Sequence, residues 1–141
     1  MAIAALGLDI GRKRIGVAGC DGLGLFTTAL TTINRTTIEA DLEAIAKLIE
    51  ARQIKILVVG LPYQMDGTLG KQAKATQKFA RKLSRHFELP IEYVDERLTS
   101  VEAETQLKAK KKYDRNNKGL VDQLAAKIIL QQWLDSRAEN S

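Results

Sequence analysis

The hydrophobic period of this chain changes near residue 36, and that change constrains the fold more than any other feature. Before it, apolar and small residues alternate through Ile3–Asp9 and Ile15–Cys20, and a Thr-rich, β-branched run follows at Phe26–Ile33. Such patterns predict three strands. Only short glycine-containing turns, Gly11–Arg14 and Gly22–Gly24, separate them, so the strands should form an antiparallel meander. After residue 36, Ile38, Leu42, Ile45, Leu48 and Ile49 recur at helical spacing. A Thr36-x-x-Glu39 capping box precedes them, which predicts a helix to about Arg52. Ile54–Val59 is then an almost unbroken apolar run, the pattern of a strand covered on both faces.

The remaining elements follow the same logic. A glycine-bounded loop, Gly60–Gly70, leads to a basic helix from Lys71 to about Phe87, with Ala75, Phe79 and Leu83 on one stripe. Pro90 introduces a fifth strand, Ile91–Asp95. Thr99-x-x-Glu102 opens a short helix to about Ala109, a lysine-rich segment comes next, and a last helix runs from Leu120 to Leu134. The order βββαβαβαα predicts an α/β fold with a mixed five-stranded sheet and helices on both faces. One domain over 1–137 and a frayed tail at 138–141 are expected.

Composition narrows the chemistry. A single cysteine, Cys20, excludes an internal disulfide and a CxxC zinc site. The one histidine, His86, lies in a basic helical stretch and reads as a surface residue. Zinc and copper sites want several His or Cys ligands, so any metal here should be a hard ion held by oxygen. No apolar run approaches the roughly 20 residues of a membrane span, and the N-terminus lacks a basic leader, so a cytoplasmic address without membrane contact is expected. The formal net charge of +5 favours nucleic acid or another anionic partner.

Three acidic positions stand out. Asp9 ends the first strand on the face of Ile3, Ala5 and Gly7, and Gly11 behind it lets a phosphate or a metal approach the backbone. Asp95 and Glu96 end the last strand on opposite faces, and spacing does not choose between them. Asp122, in the first turn of the last helix, shares the apolar stripe of Ala125, Ala126 and Ile129 and so aims at the sheet. Complementing the helix dipole is its alternative role. Gathered together, three carboxylates suit two-metal phosphodiester hydrolysis, in which ions about 3.5–4 Å apart clamp the attacking water and the leaving oxygen. Mg²⁺ or Mn²⁺ is the expected cofactor.

Cations flank these acids. Arg12, Lys13 and Arg14 adjoin Asp9, and Lys108, Lys110, Lys111, Lys112, Arg115 and Lys118 precede Asp122, with Tyr113 among them to stack a base. Phosphate contact is expected of both clusters, a solvated charged loop being the alternative. Gln64 and Asp66 lie in the loop that leaves the C-terminal end of a parallel strand, a common place for sites in α/β sheets. Phe79 and Trp133 are expected in the core.

Four motifs in order carry a resemblance over nearly the whole chain. They are Leu8-Asp9-Ile10-Gly11-Arg12-Lys13-Arg14-Ile15-Gly16-Val17-Ala18, Gly60-Leu61-Pro62 with Met65-Asp66-Gly67, Asp95-Glu96-Arg97-Leu98-Thr99-Ser100, and Lys118-Gly119 with Val121-Asp122 and Ala125-Ala126. Together they resemble the YqgF family, a bacterial branch of the ribonuclease-H-like superfamily related to the RuvC Holliday-junction resolvases. The resemblance implies a sheet order of 3-2-1-4-5 with strand 2 antiparallel, and an acidic site of Asp9, Glu96 and Asp122 that favours Glu96 over Asp95. Arg97 then joins the candidate substrate contacts. Family members are described as candidate nucleases that process the 5′ end of pre-16S ribosomal RNA, and earlier as candidate Holliday-junction resolvases. The expected partner is therefore precursor rRNA or branched DNA, and the chain a monomer or weak homodimer. A non-catalytic RNA-binding factor on the same fold is the alternative from another class. Asp9-x-Gly11 also resembles the phosphate loop of actin-like ATPases, which need two such domains where this chain supplies one.

Overall fold

A computed structural model of the chain describes residues 3–21, 26–62, 69–95 and 118–139, and within them five strands form one sheet. The strands are β1 (Ala5–Ile10), β2 (Arg14–Cys20), β3 (Thr27–Asn34), β4 (Ile56–Leu61) and β5 (Ile91–Asp95). The helices are α1 (Ile38–Arg52), α2 (Lys71–Phe87) and α3 (Lys118–Glu139). The sheet order is β3-β2-β1-β4-β5, as the resemblance implied. β2 runs antiparallel to β1 and β3, while β1, β4 and β5 are parallel.

Strand alternation divides the core in two. On one face Leu6, Leu8, Ile10, Ile15, Val17, Leu57 and Val59 pack with Ile45 of α1 and with Phe79, Ala80 and Leu83 of α2. On the other, Ala5, Ala18, Cys20, Ile56 and Val58 lie beneath Ala126, Ile129, Leu130 and Trp133 of α3. The second face is built from smaller residues, and α3 comes correspondingly close. A Cβ added to Gly7 would stand 2.9 Å from the Leu130 Cβ and 3.0 Å from the Ala126 carbonyl oxygen. β4 is buried along its whole length, as its unbroken apolar run predicts.

Several boundaries differ from expectation for local physical reasons. The cap of α1 is Thr37, whose side chain accepts from the Ala40 N–H, while the Thr36 N–H donates to Asp41 Oδ1. β4 starts at Ile56 rather than Ile54, because α1 closes with Gln53 in the left-handed region at φ 52° and the Ile54 N–H still donates to the Ile49 carbonyl. α3 starts at Lys118 and runs to Glu139, past the expected ends, and the Arg137 guanidinium stacks over the Trp133 ring at 4.7 Å. The helix expected at 99–109 lies outside the described residues. Among the described residues no helix is long and apolar enough to cross a membrane.

Candidate active site

Asp9 lies near the C-terminal end of β1 and, by parity with Ala5 and Gly7, on the α3 face. Its cross-strand partner is Gly16 on β2, which sets their Cα atoms about 4.5–5.5 Å apart. α3 crosses so closely above Gly16 that a Cβ there would run into the Asp122 carbonyl and stand 2.9 Å from the Asp122 Cβ. A β2 residue with any side chain would push α3 away. Two carboxylates far apart in sequence thus share one end of one sheet face.

The next strand fixes the start of α3. Thr32 of β3 pairs with Gly16, and its hydroxyl donates to the Gly119 carbonyl at 2.6 Å. Gln123 Nε2 in turn donates to Thr32 Oγ1 at 3.1 Å. The row Asp9–Gly16–Thr32 therefore supports the helix turn that carries Asp122. Because α3 opens at Lys118, Asp122 falls beyond the first turn, where the dipole effect fades. What faces Asp122 is Arg14, whose Nε donates to Oδ2 at 2.6 Å, the two side chains being 31% and 19% exposed.

The turn between β1 and β2 is anchored from the opposite face. Arg35 Nη1 donates to the Gly11 carbonyl at 2.7 Å, and Arg35 Nε approaches Asp41 Oδ2 at 3.4 Å. The same guanidinium stacks over the Phe79 ring at 4.5 Å. The Arg35 N–H donates to the Lys13 carbonyl at 2.8 Å, and the Gly11 N–H to the Arg14 carbonyl at 2.9 Å. Asp41 is only 3% exposed, so it serves as the buried counter-charge of Arg35. Held in this way, the turn borders a cleft of about 450 Å³ lined by Asp9, Gly11, Arg12, Lys13, Arg14 and Gln72 among others. Arg12 and Lys13 are exposed beside the Asp9 carboxylate. The Asp9 carboxylate, the Arg12 and Arg14 guanidinium groups and the Lys13 ammonium group thus meet at one rim.

β5 separates Asp95 from this group. Ile91 packs into the α1/α2 core and Val94 into the α3 core, so Asp95, with the parity of Ile91, belongs to the face opposite Asp9. Glu96, Arg97, Gln64, Asp66, Tyr113, Lys108, Lys110, Lys111, Lys112 and Arg115 lie outside the described residues, and Lys118 contributes the first backbone turn of α3. Among the described residues no three His, Cys, Asp or Glu side chains are grouped closely enough to hold a metal. His86 is exposed, and Phe79 and Trp133 are buried. The sequence did not single out Gly16, Thr32 or Arg35 as site-building residues. Gly16 carried a signal, since glycine inside a strand marks a close approach. Asp41 carried another, an acid four residues before the core residue Ile45.

Comparison with known proteins gives consistent results. Residues 3–136 match the family model described as RuvX: Holliday junction resolvase. A relative from Picosynechococcus sp. named "Putative pre-16S rRNA nuclease" is 79% identical over 135 residues, covering 96% of this chain and 94% of the relative. One of the same name from Crocosphaera subtropica is 66% identical, with the same coverage. Among solved structures, Thermus thermophilus RuvC in complex with a Holliday junction substrate aligns with a TM-score of 0.60 at 10% identity, covering 96% of both chains. A second Thermus thermophilus RuvC structure aligns with a TM-score of 0.61 at 10% identity, covering 97% of both. At that identity the likeness concerns the fold.

Proposed function

Because this chain belongs to the RuvX family, we propose that it is a metal-dependent endonuclease that hydrolyses phosphodiester bonds at the 5′ end of pre-16S rRNA. One observation carries the site assignment: α3 rests on Gly16, the cross-strand partner of Asp9, and so delivers Asp122 to the same end of the same face. Asp9, Asp122 and Glu96 are the proposed ligands of Mg²⁺ or Mn²⁺. Their carboxylates are the oxygen donors such ions prefer. Glu96 shares the sequence parity of Val94, which packs on the α3 face, whereas Asp95 does not. When bound, the ions supply activation of water for attack at phosphorus and neutralise charge on the leaving oxygen.

The chain's own groups do the rest. Arg12 and Lys13 grip phosphate oxygens beside the scissile bond. Arg14 balances Asp122 while no cation shares its carboxylate. Arg35, through Gly11, keeps the turn and its cations in register with Asp9. Gln64, Arg97, Lys110, Lys111, Lys112 and Lys118 are proposed as further substrate contacts.

The test is a cleavage assay on a pre-16S RNA 5′ leader with Mg²⁺ or Mn²⁺, run beside a four-way DNA junction. The native chain should cut the leader, and Asp9→Asn should not, with unchanged melting. Full turnover by Asp9→Asn would overturn the site. A second reading, resolution of four-way junctions, draws on the family's description and the RuvC-like fold. Symmetric cutting of the junction with the leader left intact would establish it instead.

A further inference from the structure

The charge of α2 is not explained by the site described above. Its 17 residues hold six Lys or Arg and no Asp or Glu. At about 100° per residue, Lys71, Lys74, Lys78, Arg81, Lys82 and Arg85 fall within an arc of about 100°. All six are exposed, while Ala73, Thr76, Phe79, Ala80 and Leu83 bury the opposite side. Among the described residues none of the six is engaged in an ion pair. Like charges at i,i+4 and i,i+3, as in Lys74–Lys78, Lys78–Arg81, Lys78–Lys82 and Arg81–Arg85, destabilise an isolated helix. An anionic partner laid along the stripe would offset that repulsion.

The stripe is joined to the catalytic rim. The cleft containing Asp9 also includes Arg12 and Gln72. Those two residues line a second cavity as well, of about 550 Å³, together with Arg35, Lys71 and Thr76. Thr76 is 1% exposed, and among the described residues its hydroxyl has no hydrogen-bond partner. The N-terminus of α2 opens beside Lys71, with Gly70 as a cap that offers no side-chain acceptor and no acid in the first turn. The N–H groups of its first turn add to the positive field there. At the far end of the helix a third cavity of about 570 Å³ is lined by Lys78, Arg81, Lys82, Arg85 and His86. Positive charge therefore continues from the Asp9 cleft through Arg12 and Lys71 to the end of α2, a helix about 25 Å long.

We propose that the exposed face of α2 is a track for the RNA phosphate backbone, entered at Arg12 and Lys71, that holds the substrate flank leading away from the scissile bond. That the backbone is RNA rests on the proposed function; the track itself rests on charge and position. Contact is made to phosphates and not to base edges, so the track contributes affinity without sequence preference.

The experiment measures equilibrium binding of the full chain to a pre-16S RNA 5′ leader in EDTA, across a salt series. The variant combines Lys78→Gln, Arg81→Gln, Lys82→Gln and Arg85→Gln, all at exposed positions, with melting recorded to confirm the fold. Its affinity should fall at least about tenfold, and the salt slope should shrink by about three, near 0.7 per cation removed. Lys47→Gln on α1 should change neither quantity. Equal affinity and slope for the quadruple variant and the native chain would overturn the proposal. So would a loss confined to DNA of the same sequence or to anionic vesicles, with RNA binding intact. No cleavage is needed in this assay, so failure of the nuclease assignment, read from Asp9→Asn, stays distinguishable from failure of the track.

Discussion

The two faces of the sheet are built to different tolerances. Beneath α1 and α2 the sheet offers Leu, Ile and Val, and the helices stand on a layer of branched side chains. Beneath α3 it offers Ala, Gly and Cys at the crossing, and helix backbone meets strand backbone. A side-chain layer absorbs small changes by repacking, whereas a backbone contact does not. The close-packed face is the one that carries Asp9 and Asp122. The tolerant face carries a helix whose outer charge is free to be chosen. α1 and α2 pack on the same side of the sheet, yet α1 holds four acids and two bases while α2 holds six bases and no acid. Packing fixes where a helix lies and leaves its outer charge to function.

The strongest challenge to this contrast is Asp122→Asn, which keeps the shape of α3 and removes one carboxylate. Cleavage should fall about 1000-fold, equivalent to about 4 kcal/mol of transition-state stabilisation, with melting unchanged. Activity within tenfold of the native chain would mean that the close face serves stability alone. Gly16→Ala comes next. The added methyl meets the Asp122 carbonyl, which belongs to helix backbone and cannot rotate away. A loss of about 3 kcal/mol is expected, near the upper range for overpacking, or about 10 °C in Tm for a domain of this size. Ile45→Val on the tolerant face should cost about 1 kcal/mol. Similar losses for the two variants would erase the difference between the faces.

Much of this was legible from residues alone, and the rest required knowing what packs on what. The apolar run at β4 announced a strand buried on both sides, because no polar residue interrupts it. Asp9 was placed on the face of Ala5 and Gly7 by alternation, and Asp122 on the inward stripe of its helix by periodicity. The strand order came from the resemblance, since local patterns do not say which strands are neighbours. The start of α3 was placed too late because Lys118-Gly119 is a poor helix opening. A hydroxyl from β3, remote in sequence, ties that first turn to the sheet by bonding the Gly119 carbonyl. Asp41 and Asp122 give the same signal, an acid on an apolar stripe, yet one is sealed beneath Arg35 and the other stays partly exposed against Arg14. Burial separates them, and burial belongs to the assembled sheet. Alternation did not choose between Asp95 and Glu96, the resemblance favoured Glu96, and only the packing of Ile91 and Val94 into different cores shows that Asp95 belongs to the face opposite Asp9.

The smallest expected effect concerns Arg14. Its Nε lies 2.6 Å from Asp122 Oδ2, so the carboxylate already has a cation. A divalent ion must share or displace that contact, and a fixed positive charge so close opposes a second one. Arg14→Gln keeps a polar side chain and removes the charge. Affinity for Mn²⁺, titrated without substrate, should then rise about fivefold, a modest gain because both partners are partly solvated. Weaker Mn²⁺ binding by this variant would mean that Arg14 orders the carboxylate for the ion instead of competing with it. Asp122 would then be positioned by the β1–β2 turn as much as by the close contact at Gly16, and the division between the two faces would have to be redrawn at the edge where β1 turns into β2.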